Sequence, residues 1–281
     1  MNYRHAFHAG NFADVFKHAL LTRLLVYLTR KDSPLRYVDT HAGVGAYDLS
    51  GPEAERTGEW RAGIGRVLAA SPSPQVAGLL QPFLDIVRES FPDEGPRRYP
   101  GSPLLAKRLL RRGDRLMLCE LHPQDVRKLE VEVGRDRRVT IEARDGYAAL
   151  NAFVPPPERR GLVLIDPPFE QRDEFSHMLN ALLKAHRKWN TGVYALWYPL
   201  KDPAGAGWFC DSVVKAGVRR VLRVEFEVSA YDPAGPMSGC GMLIVNPTHG
   251  IEAEARLLLP ELARLLAVGQ GGWKVEELAG E

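Results

Sequence analysis

The chain has 281 residues and 45% hydrophobic content, which is enough for one large α/β domain or for one domain with an insertion. Its formal net charge of +2 excludes a polyelectrolyte, so any contact with nucleic acid must come from local basic patches. Three cysteines without CxxC spacing argue against a disulfide framework and a structural zinc site. No apolar run reaches the ~20 residues of a membrane span. We therefore expect a cytoplasmic protein with no metal site.

The amino-terminal part of the chain predicts an arm, a helix and a strand. Residues 1–10 show neither a helical nor a strand period, and we interpret them as the arm. Asn11 is a favourable N-cap for a helix that extends to about residue 30. Residues 35–40 then predict the first strand of a sheet.

A glycine-containing loop follows this strand, with the sequence Asp39-Thr40-His41-Ala42-Gly43-Val44-Gly45. Its glycines allow the backbone to approach a bound nucleoside closely, because they carry no Cβ. The third glycine of a dinucleotide fingerprint would fall at Asp48, and no phosphate-binding lysine follows the loop. The loop therefore disfavours NAD and P-loop sites and favours an S-adenosylmethionine site.

The acid expected to bind ribose hydroxyls is Glu120, at the end of the next predicted strand, residues 115–120. In a simple doubly wound fold this acid lies ~20 residues beyond the glycine loop. The separation here is several times larger, so we predict an inserted helical subdomain at residues 51–98. Its two predicted helices lie at about 54–70 and 75–91, and the Rossmann-like methyltransferase domain comprises residues 1–50 and 99–281.

Helices and strands alternate through the rest of the chain. Ser102 and Pro103 predict the start of a helix that extends to about residue 112. The last two predicted strands have no helix between them, which indicates a terminal antiparallel hairpin. The fold class is thus α/β, with a seven-stranded, mostly parallel sheet. The other predicted elements are helices at 123–134, 146–152, 171–189 and 203–216, and strands at 139–143, 162–166, 193–197, 219–228 and 242–245.

The strand at 162–166 ends in Asp166-Pro167-Pro168-Phe169, which suits methyl transfer to a planar amino group. Asp166 and the carbonyl group of Pro167 could accept the two N–H groups of an exocyclic amine, and these bonds strengthen as positive charge develops on the nitrogen. Phe169 could stack on the base. The alternative is a buried strand followed by a polar turn in which two prolines occur by chance.

Other strand-end residues allow two interpretations each. Asp145-Gly146 could read an adenine amino group or form an ordinary turn, and Glu120 could be a ribose ligand or a surface acid. Ser102 could cap its helix and also contact a cofactor. A histidine such as His18, taken alone, is more often packed or exposed than a ligand.

Together, several motifs closely resemble the bacterial 23S ribosomal RNA adenine-N6 methyltransferase J family of class I S-adenosylmethionine-dependent methyltransferases. The amino-terminal block is the most specific of them, and the Asp-Pro-Pro-aromatic motif is shared by many amino methyltransferases. One departure is Phe169, where tyrosine is frequent. The motifs are Tyr3-Arg4-His5-Ala6-Phe7-His8-Ala9-Gly10-Asn11 with Asp14 and Lys17-His18, the glycine loop, Tyr99-Pro100-Gly101-Ser102-Pro103, Glu120-Leu121-His122-Pro123, Asp145-Gly146-Tyr147 and Asp166-Pro167-Pro168-Phe169-Glu170.

This resemblance implies a monomeric enzyme that methylates N6 of one adenine in 23S rRNA, either protein-free or in an early assembly intermediate. By matching motifs, Asp166 would be the catalytic residue and Tyr3 would contact the RNA, together with Pro167 and Phe169, which the chemistry of the strand end already assigns to the target base. The residues implied for the S-adenosylmethionine site are His18, His41, Ser102, Glu120, Asp145 and Gly146.

Three rival functions stay open. A DNA adenine-N6 methyltransferase would keep the same catalytic motif, and a non-catalytic RNA-binding module would need no cofactor site. A protein-glutamine methyltransferase usually has asparagine in place of Asp166. A basic band flanking the site could contact phosphates or be an ordinary solvated surface. Its members are Arg97, Arg98, Lys107, Arg108, Arg111, Arg112 and Arg115.

Overall fold

The computed structural model describes residues 4–91 and 97–281, so the predicted role of Tyr3 lies outside the described residues. The strands are β1 (Arg36–Asp39), β2 (Ala46–Asp48), β3 (Arg98–Pro100), β4 (Arg115–Glu120), β5 (Val139–Ala143), β6 (Gly161–Ile165), β7 (Val193–Pro199), β8 (Val221–Glu227), β9 (Gly239–Val245) and β10 (Gly272–Ala279). The α-helices are α1 (Phe12–Thr29), α2 (Pro52–Thr57), α3 (Glu59–Ala62), α4 (Ile64–Ala69), α5 (Pro74–Glu89), α6 (Ser102–Leu109), α7 (Pro123–Val133), α8 (Gly146–Phe153), α9 (Glu174–Lys188), α10 (Pro203–Lys215) and α11 (Ile251–Leu266).

The main sheet has eight strands in the order β10-β8-β9-β7-β6-β1-β4-β5. Strands β1, β4, β5, β6 and β7 pair in parallel, whereas β9 lies antiparallel between β7 and β8. The predicted fold class and its antiparallel hairpin are therefore confirmed.

The prediction of seven strands was wrong, because β10 adds an eighth strand antiparallel to β8. This strand is the edge of the sheet, and charged side chains such as Lys274, Glu276 and Glu277 interrupt its apolar residues. It therefore lacks the continuous apolar run that identifies a buried strand. Helix α11, which precedes it, was also missed.

Helices cover both faces of the sheet. Helices α8, α9 and α10 pack on one face, and α1, α5, α6 and α11 contribute to the core on the other. Helix α1 is buried on nearly all sides, so even its polar side chains Asp14, Lys17, His18 and Arg23 are buried. None of the helices in residues 4–91 and 97–281 is long and apolar enough to cross a membrane.

The segment predicted as an insertion begins with three short helices instead of one helix at 54–70. The break after α2 lies at Gly58, which has a φ of 63°. The break after α3 lies at Gly63, where an added Cβ would be 2.1 Å from the carbonyl oxygen of Gly10. Trp60 and Phe83 of this segment belong to the same core as α1, and the β2–β3 pair joins its two ends. Whether residues 51–98 are a separate subdomain stays a prediction.

Candidate active site

A cavity of about 1400 Å³ opens at the carboxyl ends of β1, β4, β5 and β6. Parallel α/β sheets bind their ligands at this edge. Nine of the ten predicted site residues line the cavity, and the tenth, Tyr3, is not among the described residues. The nine are His18, His41, Ser102, Glu120, Asp145, Gly146, Asp166, Pro167 and Phe169. The structure thus brings these residues together, and their individual roles stay predictions.

The glycine loop and Glu120 are joined directly. The backbone N–H of Gly43 donates to Glu120 Oε2 at 2.9 Å, and the N–H of His122 donates to Oε1 at 2.8 Å. Gly43 has a φ of 62°, and a Cβ there would be 2.5 Å from the hydroxyl of Tyr47. Burial raises the pKa of Glu120 although these N–H groups oppose the shift. Each carboxylate oxygen keeps a second lone pair, which can accept a hydrogen bond from a ribose hydroxyl.

Asp39, at the end of β1, is a buried carboxylate that binds Ser102, a residue of the cavity lining. The hydroxyls of Ser102 and Tyr37 donate to its Oδ2 at 2.7 and 2.8 Å. Burial raises the pKa of Asp39 to about 6, against the effect of these two hydrogen bonds. Gly101 is the N-cap of α6, so the predicted capping role of Ser102 was wrong. The hydroxyl of Ser102 is instead committed to Asp39.

His18 is buried beneath the cavity, and its Nδ1 lies 2.7 Å from the hydroxyl of Tyr99. Burial lowers the pKa of His18 to about 3, so the ring is neutral at physiological pH. Its Nε2 is buried and has no hydrogen-bond partner among the described residues. A hydroxyl of Tyr99 that donates to Nδ1 leaves the ring proton on Nε2, which can then donate to a ligand.

His41, Asp145 and Gly146 form another wall of the cavity. His41 contacts the ring of Tyr147 edge to face, with centroids 5.1 Å apart, and burial lowers its pKa to about 4. Asp145 is the N-cap of α8 and accepts a hydrogen bond from the N–H of Ala148 at 2.7 Å. A Cβ on Gly146 would lie 2.0 Å from the carbonyl oxygen of Thr40, so only glycine fits against β1 here.

The carboxylate of Asp166 takes part in a buried ionic network. Lys17 Nζ lies 2.7 Å from Asp166 Oδ2 and 2.9 Å from Asp14 Oδ1. His5 Nε2 lies 2.9 Å from Asp14 Oδ2. Burial opposes the charge of Lys17, but the two carboxylates outweigh it and raise the pKa of Lys17. Within the described ranges Asp166 Oδ1 makes no hydrogen bond, so this oxygen is available to a substrate.

An aromatic pocket lies beside this carboxylate. Phe169 is half-buried and has a φ of 50°, a conformation that non-glycine residues rarely adopt. Its ring contacts Phe175 and Trp197 edge to face, with centroids 5.0 and 6.0 Å apart. Pro167 is buried behind it. The face of Phe169 can therefore stack on a planar base.

Sequence reasoning missed two residues of the site. One is Lys17, which lines the cavity beside the predicted His18 because α1 is surrounded by protein. Trp197 was read only as the end of a strand. The signal for Trp197 was its position at the carboxyl end of β7, next to β6 in the sheet.

The predicted basic band does not line the cavity. Several of its members are already bound: Arg98 to Glu132, Arg108 to Glu89 and Arg111 to Asp114. Lys107 Nζ donates to the carbonyl oxygen of Val133 at 2.6 Å. Arg115 begins β4 and so lies at the opposite edge of the sheet.

Similarity to characterised proteins covers nearly the whole chain. Residues 32–279 match the family model described as "Ribosomal RNA large subunit methyltransferase D, RlmJ". The chain is 38% identical to Ribosomal RNA large subunit methyltransferase J of Escherichia coli over 282 residues, covering 99% of this chain and 100% of that protein. The protein of the same name from Haemophilus influenzae is 37% identical over 283 residues, with 100% of both chains covered.

A solved structure is similar over the same extent. The crystal structure of a protein from Legionella pneumophila matches with a TM-score of 0.87 and 36% identity. The match covers 96% of this chain and 98% of that one.

Proposed function

The chain belongs to the family of ribosomal RNA large subunit methyltransferase RlmJ, and from this premise we propose that it methylates N6 of one adenine in 23S rRNA. The observation that carries the choice of an amino group is the free Oδ1 of Asp166, which lies beside the half-buried ring of Phe169 in a cavity shared with the glycine loop. We further propose that the protein acts as a monomer in the cytoplasm, as the family resemblance implies.

The residues around the glycine loop fit S-adenosylmethionine, the methyl donor that the family assignment supports. Glu120 has free lone pairs for the ribose hydroxyls, and the unpartnered Nε2 of His18 can donate to the carboxylate of the methionine moiety. Asp145 and the close-packed backbone at Gly146 would face the adenine. His41 and Ser102 complete this part of the wall. When bound, S-adenosylmethionine supplies an electrophilic methyl group.

The protein's contribution to the reaction is mainly positioning. Asp166 Oδ1 and the carbonyl oxygen of Pro167 would accept the two N–H groups of the target amine and orient its lone pair. Lys17 holds the other oxygen of Asp166 and so fixes the direction of Oδ1. The hydrogen bonds strengthen as the nitrogen becomes positive, which favours the transition state. The amine loses its proton after the methyl group has arrived, so no strong base is needed.

The target adenine must leave any base stack to reach Asp166. Unstacking costs a few kcal/mol, and this cost is smaller in RNA loops and in rRNA that is not yet packed by ribosomal proteins. We therefore propose protein-free 23S rRNA or an early assembly intermediate as the substrate. Phe169 would stack on the extruded base.

Methyl transfer to defined substrates tests this proposal. The purified protein is incubated with tritiated S-adenosylmethionine and with protein-free 23S rRNA, mature large subunits or duplex DNA, and the labelled nucleoside is identified by mass spectrometry. We expect N6-methyladenosine at one position of the free rRNA. Labelling of duplex DNA alone would support the DNA methyltransferase, and binding of rRNA without label would support the non-catalytic module.

A further inference from the structure

A second cavity, of about 450 Å³, lies at the opposite edge of the sheet from the candidate active site. Arg115, one of its lining residues, is the first residue of β4, and Arg138 immediately precedes β5. The cavity is thus at the amino ends of the strands whose carboxyl ends face the catalytic cavity. Its lining consists of Arg112, Arg115, Asp136, Arg137 and Arg138.

One arginine of this cleft is fixed by local partners. Arg138 Nη2 lies 2.7 Å from Asp136 Oδ2 and donates to the carbonyl oxygen of Lys107 at 3.1 Å. Its Nη1 donates to the carbonyl oxygen of Leu110 at 2.5 Å. The charge of Asp136, the only acid in the lining, is therefore already neutralised.

The other three arginines of the cleft have no acidic side chain beside them to offset their charge. Arg112, Arg115 and Arg137 form no ion pair within the described part of the chain, and all three are exposed. Arg115 Nη1 donates to the backbone carbonyl of Asp114 at 2.9 Å, which holds that guanidinium at the rim. Three arginines without an acidic partner therefore line one cleft in a chain whose net charge is only +2. Such a cleft is suited to phosphate, which arginine binds through paired N–H groups.

We propose that this arginine cleft binds the phosphodiester backbone of the substrate RNA at a distance from the methylated base. The inference rests on the proposed function, since it takes the partner to be the same RNA. The six residues of β4 separate the cleft from Glu120 by ~17 Å, so one RNA strand of a few nucleotides can contact both sites.

Helix α7 connects the two sites and carries basic side chains beside the acidic Asp125, Glu130 and Glu132. It begins at Pro123, next to the catalytic cavity, and runs back towards the arginine cleft. No ion pair within residues 4–91 and 97–281 involves its exposed Arg127 and Lys128 or the following Arg135. Lys128 also lines the catalytic cavity. These three side chains can contact phosphates of an RNA strand that runs from the target base to the cleft.

The test compares charge reversal in the cleft with the same change elsewhere. The variant is Arg112→Glu with Arg137→Glu, which leaves the structural contacts of Arg115 and Arg138 intact. The matched control is Arg187→Glu with Lys215→Glu, two exposed cations on α9 and α10 in the other helical layer. Affinity for a transcript of the 23S rRNA target region is measured by fluorescence anisotropy across a salt series. Methyl transfer is measured on the transcript and on a dinucleotide that contains the target adenine.

We expect the cleft variant to lose at least tenfold in transcript affinity relative to the control, and its slope of log K against log salt to fall by about 1–2 because two phosphate contacts are lost. Its activity on the dinucleotide should equal that of the wild type, since this substrate is too short to reach the cleft. An unchanged salt slope, or an equal loss on the dinucleotide, would overturn the inference. If the double reversal impairs folding, as judged by circular dichroism, Arg112→Ala with Arg137→Ala gives the same comparison.

Failure of the inference can be told apart from failure of the proposed function. A wild-type protein that methylates the transcript while the cleft variant binds it normally refutes the cleft alone. A wild-type protein that binds RNA through the cleft and yet transfers no methyl group refutes the proposed function and leaves the cleft as an RNA site.

Discussion

The ammonium group of Lys17 lies 2.7 Å from Asp166 Oδ2, although the two residues are 149 positions apart in the sequence. This contact joins α1 to the carboxyl end of β6 and leaves Asp166 Oδ1 facing the cavity. Asp14, on the turn of α1 before Lys17, holds the same ammonium from the other side at 2.9 Å. The orientation of the proposed catalytic carboxylate therefore depends on α1, a helix that packs against the sheet, as well as on the strand that carries Asp166.

Replacing Asp166 should remove turnover and preserve cofactor binding. Asp166→Asn keeps the shape of the side chain but weakens the acceptor, so we expect kcat to fall on the order of 10²- to 10³-fold, by analogy with the loss of one transition-state hydrogen bond. S-adenosylmethionine affinity, measured by calorimetry, should stay within about twofold of wild type. Asp211→Asn, an exposed carboxylate on α10, is the matched control. A parallel loss of cofactor affinity would contradict the proposed role.

Replacing Lys17 should damage both stability and activity. Lys17→Met leaves Asp14 and Asp166 without their shared cation, and breaking a buried ion pair typically costs about 3–5 kcal/mol. Lys17 also fixes the direction of Asp166 Oδ1, so kcat should fall across the whole pH range. Chemical denaturation and pH–rate profiles measure the two effects. Lys31→Met, at an exposed position just after α1, should change neither.

Adding one methyl group at Gly146 should weaken the cofactor site. The Cβ would lie 2.0 Å from the carbonyl oxygen of Thr40, so the start of α8 must move away from β1. We expect Gly146→Ala to lower the free energy of unfolding by about 1–3 kcal/mol and to weaken S-adenosylmethionine binding. Gly78→Ala is the control, because α5 has open space there and alanine favours a helix by about 0.5–1 kcal/mol. Wild-type cofactor affinity in Gly146→Ala would show that this wall does not contact the ligand.

The strand-end residues of the site could be predicted because parallel strands bring their carboxyl ends to one edge. This rule placed Glu120, Asp145 and Asp166 around one cavity before any contact was known. The opposite edge was harder to predict, since sequence proximity suggested that Arg115 belonged with Arg108 beside the site. In the structure, Arg115 is at the amino end of β4, so the whole length of this strand separates it from the cavity.

The ionic network could not be predicted from sequence patterns. Polar residues on a helix usually indicate its solvent face, and α1 has them among apolar residues with no clear stripe. Only the packing of the surrounding helices shows that Asp14, Lys17 and His18 are inside the protein. The edge strand β10 was missed because much of it is exposed to solvent, so charged residues interrupt the apolar pattern that identifies a strand.

Acid conditions should destabilise the protein partly through His18. Its pKa is about 3 in the folded state and near 6.5 when unfolded, so between these values the unfolded chain binds more protons and stability falls as pH falls. One such group gives a slope of up to about 1.4 kcal/mol per pH unit. Asp14 favours the charged ring, whereas Lys17 and His5 oppose it.

The measurement compares wild type with His18→Gln by chemical denaturation from pH 7.5 to 4. The stability of His18→Gln should depend less steeply on pH below about 6.5, because glutamine binds no proton. His41 acts in the same direction as His18, and Asp39, with its pKa of about 6, acts in the opposite one. Both contributions are present in the two proteins and cancel in the comparison. Identical pH slopes would show that His18 is not buried in its neutral form.

Phe169 should contribute by stacking the face of its ring on the target base, so a hydroxyl group at this position should not be needed. Phe169→Tyr restores the residue that is frequent in amino methyltransferases and keeps the stacking surface, so we expect kcat/KM for rRNA within about threefold of wild type. Phe169→Leu removes the flat face, and loss of base stacking is worth about 1–3 kcal/mol, or roughly 5- to 150-fold in kcat/KM. Phe175→Leu is the informative comparison, since Phe175 supports the ring from the side at 5.0 Å without being part of the cavity lining. Equal losses in Phe169→Leu and Phe175→Leu would mean that Phe169 only fills space. A much larger loss in Phe169→Leu, confined to the RNA and absent from S-adenosylmethionine binding, is the result that base stacking predicts.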